Sequence, residues 1–172
     1  MEKKTIENMD NLDIELLKIL SEGKISKALS KDDEEKISLR KLAETLKVSP
    51  VTVKKHIEDL ENIGIIKNFG VTIDYEKLGY DIIALIELTI SKGKMLEIER
   101  DIAKHPNIFA VYDITGEYDA MLLARFKSRS ELSELVKEIN KYEYVIRTNT
   151  HLILNVIKEG TEFANLITEK KE

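Results

Sequence analysis

Apolar residues in this chain recur with one spacing in its first third and with another beyond residue 81. Early on they return every three or four residues, the period of helices; later they alternate or run together, as in strands. Leu12, Leu16, Ile19 and Leu20, with Leu17 beside them, predict a first helix behind Asp10 or Asn11 as N-cap. Leu39, Leu42, Ala43 and Leu46 predict a second helix. Val53, Ile57 and Leu60 give a third its single buried stripe. Lys47 and Val48 make the break between the last two, and Ser49 is a good N-cap. Pro50 stands at the first helical position, where its missing N–H costs nothing. Gly64 suits a left-handed helix end, and residues 65–69 are expected to leave as a strand. Two helices about a short break, the second well capped, predict a winged-helix-like helix-turn-helix within residues 37–69. The first helix closes a three-helix core over it. Residues 21–35 include the charge run 31–35 and predict a solvated connection.

Residues 70–80 predict a linker, with a short strand at 71–73 and a helical turn at 74–78. Strands follow at 82–90, 108–115, 118–126 and 145–157. A helix at 95–104 stops at His105-Pro106, and Gly116-Glu117 forms a tight turn. A second helix, capped by Ser128 or Ser130, carries Leu132, Leu135, Val136 and Ile139 on one face. The order is βαββαβ, so the expected class is α+β, with a ferredoxin-like second domain. Both helices then cover one sheet face and leave the other bare and apolar, which two copies would cover by pairing their sheets. The expected domains are 1–69, the linker 70–80, the sheet domain 81–160, and a tail at 161–172 that opens with a short apolar turn.

Composition sharpens this picture. A 42% hydrophobic and 34% charged chain can bury a core, and it holds no apolar run of the roughly 20 residues that span a membrane. The polar start shows no secretory signal. Cysteine is absent, which removes disulfides and thiolate chemistry and suits a cytoplasmic protein. Glutamine and tryptophan are also absent, a bias that leans towards a thermophile. Net charge is −5, yet residues 36–69 carry seven basic and four acidic side chains. The helix-turn-helix is thus a basic island in an acidic chain, as binding to double-stranded DNA requires.

On the third helix, Val51, Thr52, Lys55 and His56 are expected to lie away from the buried stripe. Val51 suits thymine methyls, Thr52 a base edge or phosphate, and Lys55 and His56 base edges. Ser49, Pro50 and the helix N-terminus suit a phosphate, as do Arg40, Lys41, Lys54 and Lys67. A solvated basic face is the plainer reading of the same residues. The best candidate for a small effector is the Gly116-Glu117-Tyr118-Asp119 turn, led into by Tyr112 and Thr115. Its two carboxylates could hold an α-ammonium group. An ordinary β-turn favours the same residue types. His56, His105 and His151 lie on three separate elements, so neither a catalytic constellation nor a metal site is expected.

The chain resembles the Lrp/AsnC, or feast/famine, family of transcriptional regulators. The residues that carry this are Leu12-Asp13, Leu16-Leu17 and Ile19-Leu20; Leu42-Ala43, Leu46, Val48-Ser49 and Thr52-Val53; and Ile57, Leu60-Glu61 and Gly64-Ile65-Ile66. Gly116-Glu117-Tyr118-Asp119 and Thr148-Asn149-Thr150 carry it in the second domain. The resemblance implies a DNA-binding homodimer, or a tetramer or octamer of the same contacts. It also implies an effector domain that senses a small metabolite, usually an amino acid. Two features depart from the family: a longer connection between the first two helices, and a third helix poor in Arg, with Glu58 and Asp59 following His56. A group of siroheme (tetrapyrrole) decarboxylases resembles the same two-domain layout, with Arg100, Arg147 and His151 as the available cationic and imidazole groups. A module that only heterodimerises is the third alternative.

Overall fold

The computed structural model describes residues 9–21, 39–70, 73–91, 93 and 95–160. It divides into two compact units, one holding the N-terminal helices and the other running from Ile73 to Lys158. The expected connection from residue 22 on, the strand positions 71 and 72, and the tail at 161–172 lie outside the described residues.

In the first unit, α1 spans Asn11–Ser21, α2 Leu39–Thr45 and α3 Pro50–Asn62. Ile14, Leu16, Leu42, Ala43, Leu46, Val53 and Leu60 bury together at their centre. Each fully buried Leu, Ile or Val contributes about 1.5–3 kcal/mol of transfer free energy. Leu39, expected on the buried stripe, is 41% exposed, because it opens α2 ahead of the turn that packs. Asp13, a charged residue, is buried among the apolar ones.

Both helices of the motif end in the same hydrogen-bond pattern. After α3, Gly64 N–H donates to Glu61 O and Ile65 N–H to Leu60 O, with Gly64 at φ 76°. After α2, Lys47 N–H donates to Glu44 O and Val48 N–H to Ala43 O, with Lys47 at φ 55°. These are two Schellman turns, one built on glycine and one on lysine. The strand expected at 65–69 does not form. Ile66 N–H also returns to Leu60 O, so the chain folds back on the helix end instead of running out extended.

In the second unit, β1 (Ile82–Ile90), α4 (Met95–Ile102), β2 (Ile108–Asp113), β3 (Ala120–Phe126), α5 (Arg129–Ile139) and β4 (Val145–Ile153) follow in order. The sheet is antiparallel, in the order β2-β3-β1-β4. Ala84, Ile86, Leu88 and Ile90 of β1, with Ala120, Leu122, Ala124 and Phe126 of β3, pack against Ile98, Ile102, Leu132, Leu135 and Ile139 of the helices. Ser128 Oγ caps α5 by accepting from Glu131 N–H, and Glu131 reaches back to Lys127 N–H.

Three strand ends fall short of the sequence pattern. β4 stops at Ile153, whose partner Ile83 stands one residue from the start of β1; beyond it no ladder remains. β2 and β3 stop at Asp113 and Ala120, because Asp119 N–H turns to Leu88 O and its carbonyl takes Ile114 N–H. The sheet face away from the helices is not uniformly apolar. Ile83, Leu85, Met121 and Leu123 share it with Glu87, Arg125, Arg147, Asn149 and His151. Residues 73–80, expected in the linker, belong to this unit: Arg125 stacks on Tyr75 at 5.8 Å and Lys127 on Tyr80 at 4.7 Å.

Candidate functional site

The sequence places its DNA-contact candidates on α2, α3 and the turn between them. Ser49 is extended at φ −77°, ψ 151°, and its Oγ accepts from Thr52 N–H at 3.0 Å. Its hydroxyl also shares a hydrogen bond of 2.8 Å with Thr52 Oγ1, so the half-buried Thr52 side chain is engaged in the cap. Pro50 opens the helix, and Val51 beside it is 78% exposed, a large apolar side chain left in solvent. Lys54 and Lys55 are exposed on the same face, as are Arg40, Lys41 and Lys67 elsewhere in the unit. Lys54 is paired along the helix with Glu58 at 3.5 Å, which tempers its charge.

His56 departs from its expected place. Its ring turns towards α1, and Nδ1 lies 2.7 Å from Asp13 Oδ1. Asp13 is also the third helical residue of α1. Its Oδ2 accepts from Asp10 N–H at 3.2 Å, while Asp10 Oδ1 accepts from Asp13 N–H at 2.8 Å. The result is a reciprocal capping box whose second carboxylate also holds α3. Sequence spacing placed His56 off the apolar stripe; it carried no sign that a buried acid on α1 would claim the ring.

The effector candidates gather at the end of the β2–β3 hairpin. Tyr112 and Thr115 are exposed, and Gly116 sits at φ 131°, a conformation closed to most side chains. Both carboxylates of the turn are already engaged. Glu117 Oε1 takes a hydrogen bond from Arg147 of β4 at 2.7 Å, and Arg147 lies over the Tyr118 ring at 4.8 Å. The Glu117 hydrogen bond raises the Arg147 guanidinium further above its ordinary range. Asp119 Oδ2 accepts from Ile90 N–H at 2.7 Å, which locks the turn to the end of β1. Sequence reading missed Glu99, on the buried side of α4. It is 7% exposed, and its Oε1 has no hydrogen-bond partner. Burial first, then the charges of Asp113 and Asp119, push its carboxyl above the usual range.

A separate groove of about 1030 Å³ runs beside α4, lined by Met95, Leu96, Asp101, Tyr142 and Tyr144 among others. None of the DNA or effector candidates lines it, although Arg100 does. Tyr142 closes one end by donating to Asp101 Oδ2 at 2.7 Å, which pushes the phenol up to about 12.

A capped helix-turn-helix with a basic outer face, joined to a separate sheet domain, defines a DNA-binding regulator with a second functional domain. Comparison with known proteins specifies it. Residues 15–84 match a helix-turn-helix domain model, and residues 83–163 match the Lrp/AsnC ligand binding domain. An HTH-type transcriptional regulator of Pyrococcus furiosus is 37% identical over 151 residues, covering 88% of this chain and 95% of its own. The regulator LysM of Saccharolobus solfataricus is 32% identical over 148 residues, covering 86% and 94%. Two solved structures share the fold. NMB0573 of Neisseria meningitidis, in complex with L-Met, has a TM-score of 0.76 at 23% identity, covering 90% of this chain and 95% of its own. LrpC of Bacillus subtilis has a TM-score of 0.70 at 25% identity, covering 87% and 97%. The chain belongs to the Lrp/AsnC family of transcriptional regulators. These are regulators rather than enzymes, and the decarboxylase alternative falls away. No helix among the described residues is long and apolar enough to cross a membrane.

Proposed function

We propose that this chain binds DNA as a homodimer, by inserting α3 into the major groove, and that an amino acid modulates it. The observation that carries the reading is the capped N-terminal half of α3. There Val51 and Lys55 stand exposed beside the Ser49-capped helix end, in the basic part of an acidic chain. Val51 meets thymine methyls, Thr52 and Lys55 lie nearest the base edges, and Ser49, Pro50, Arg40, Lys41, Lys54 and Lys67 border the phosphates. Two copies joined through the open sheet face place their helices on half-sites about 34 Å apart, or a multiple of that.

For the effector, the neighbouring fold seen with L-Met supports the amino-acid class. The Gly116–Asp119 turn, with Tyr112 and Thr115, is the proposed site. Because Glu117 and Asp119 are already bonded, ligand binding there exchanges the Arg147 or Ile90 contact for one to the ligand. That exchange gives the ligand a way to alter how copies assemble. Selection of duplexes with the purified protein, repeated with each amino acid present, tests both halves. A shared motif whose enrichment changes with one amino acid is expected. Recovery of no motif removes the DNA reading, and recovery unchanged by every amino acid removes the effector. Size-exclusion chromatography of the protein alone separates a homodimer from a module that needs a different partner.

A further inference from the structure

The Asp13–His56 contact sits on the recognition helix and does more than a packing role requires. Asp13 is buried, with its side chain 4% accessible, while the His56 side chain keeps 20%. Nδ1 is the ring atom that Asp13 holds, and among the described residues Nε2 has no protein partner. This fixes what the ring can offer outward. When neutral, the ring gives its one proton to the Asp13 carboxylate, and Nε2 is then a bare acceptor. Such an atom cannot meet a phosphate oxygen, which also only accepts. When protonated, the ring donates from both nitrogens, and Nε2–H can then bond a phosphate while Nδ1–H stays on Asp13.

We infer that His56 is a conditional phosphate ligand, positioned by Asp13, so that DNA binding takes up a proton at its ring. The inference rests on the DNA-binding reading of α3 and is independent of the effector. The charged groups around the ring agree with it. Asp10 Oδ1 lies 4.0 Å from Nδ1, so α1 presents two carboxylates to one imidazole. On α3, Lys55 precedes the ring and Asp59 stands nearly one turn on. From α2, Arg40, Lys41 and Glu44 make no hydrogen bond or ion pair with it. A neutral ring leaves the acidic pair uncompensated beside an approaching phosphate, whereas the imidazolium offsets one of the two charges. Proton uptake on binding makes affinity rise as pH falls.

The test is fluorescence anisotropy on one fixed, selected duplex at constant ionic strength, from about pH 6 to pH 8, for wild type, His56→Gln and His56→Arg. The wild-type Kd is expected to rise about ten-fold across that range, an average linkage of about half a proton. Gln cannot be charged and Arg cannot be discharged, so both variants are expected to be flat, with Arg the tighter. Should one variant fail to fold, the other supplies the same comparison. Asp13→Asn keeps an oxygen that can accept from Nδ1–H but removes the negative charge, and is expected to shrink the pH response with His56 still present. Wild type running parallel to His56→Gln or His56→Arg overturns the inference, since other groups then set the pH dependence. A wild type that binds no duplex at any pH removes the DNA reading itself, and this inference with it.

Discussion

Among single residues, two lysines and a glutamate separate surface charge from buried charge. Lys54 shares its charge with Glu58, whereas Lys55 has no ion pair among the described residues. Lys55→Ala is therefore expected to weaken binding and to lower the salt slope by about one, while Lys54→Ala does less. Salt titrations of both variants decide it; a slope unchanged in Lys55→Ala removes that side chain from the DNA. Glu99 is the opposite case. Its carboxyl is raised by burial and by Asp113 and Asp119, so the folded state holds its proton more tightly than the unfolded chain does. Stability from this group is complete below the ordinary carboxylate range and is lost as pH rises through the raised value. Glu99→Gln is neutral at every pH, so its melting temperature is expected to exceed wild type at pH 8 and to converge on it at acid pH. Equal differences at both pH values would show that the cost of Glu99 is steric.

Elements were legible in the sequence wherever local chemistry sets them. Pro50–Asn62 and Ile82–Ile90 coincide with their apolar patterns, because Ser49-Pro50 and Gly64 mark one and a continuous β-branched run marks the other. Strand ends were legible only in part, since a strand lasts as long as its neighbour; the sequence of β4 cannot announce that β1 runs out at Ile82. The turn between α2 and α3 hid a different fact, the left-handed backbone at Lys47. A side chain there costs about 1 kcal/mol that glycine escapes, offset in part by the extra freedom glycine has when unfolded. Lys47→Gly is expected to raise unfolding free energy by about 0.5 kcal/mol, read from urea midpoints at constant slope. A loss of stability would mean that the lysine stem packs usefully against the turn.

For the molecule as a whole, the two-domain plan followed from a change of period, but the content of the candidate sites did not. His56 pointed outward by spacing and turned inward because Asp13, 43 residues earlier in the chain, is buried beside it. Likewise the open sheet face was expected to be apolar, yet β4 supplies Asn149 and His151, which both reach Glu87 Oε2. Alternation along one strand cannot reveal which residues of another will lie opposite. If that face joins two copies, Leu123→Asp places a charge amid Leu85 and Met121 and is expected to yield a folded monomer by sedimentation. DNA affinity should then fall by at least about ten-fold, as two linked helices become one. A variant that stays dimeric locates the contact elsewhere.

Asp13 has two oxygens and two duties, one at the start of α1 and one on α3. Helix ends ordinarily fray alone, at little cost to the rest of a domain. Fraying of the first turn of α1 would release α3 from Asp13, so the two are expected to open as one unit. Their amide protons should exchange with solvent at a common rate, and loss of the Asp10 cap would be felt on α3.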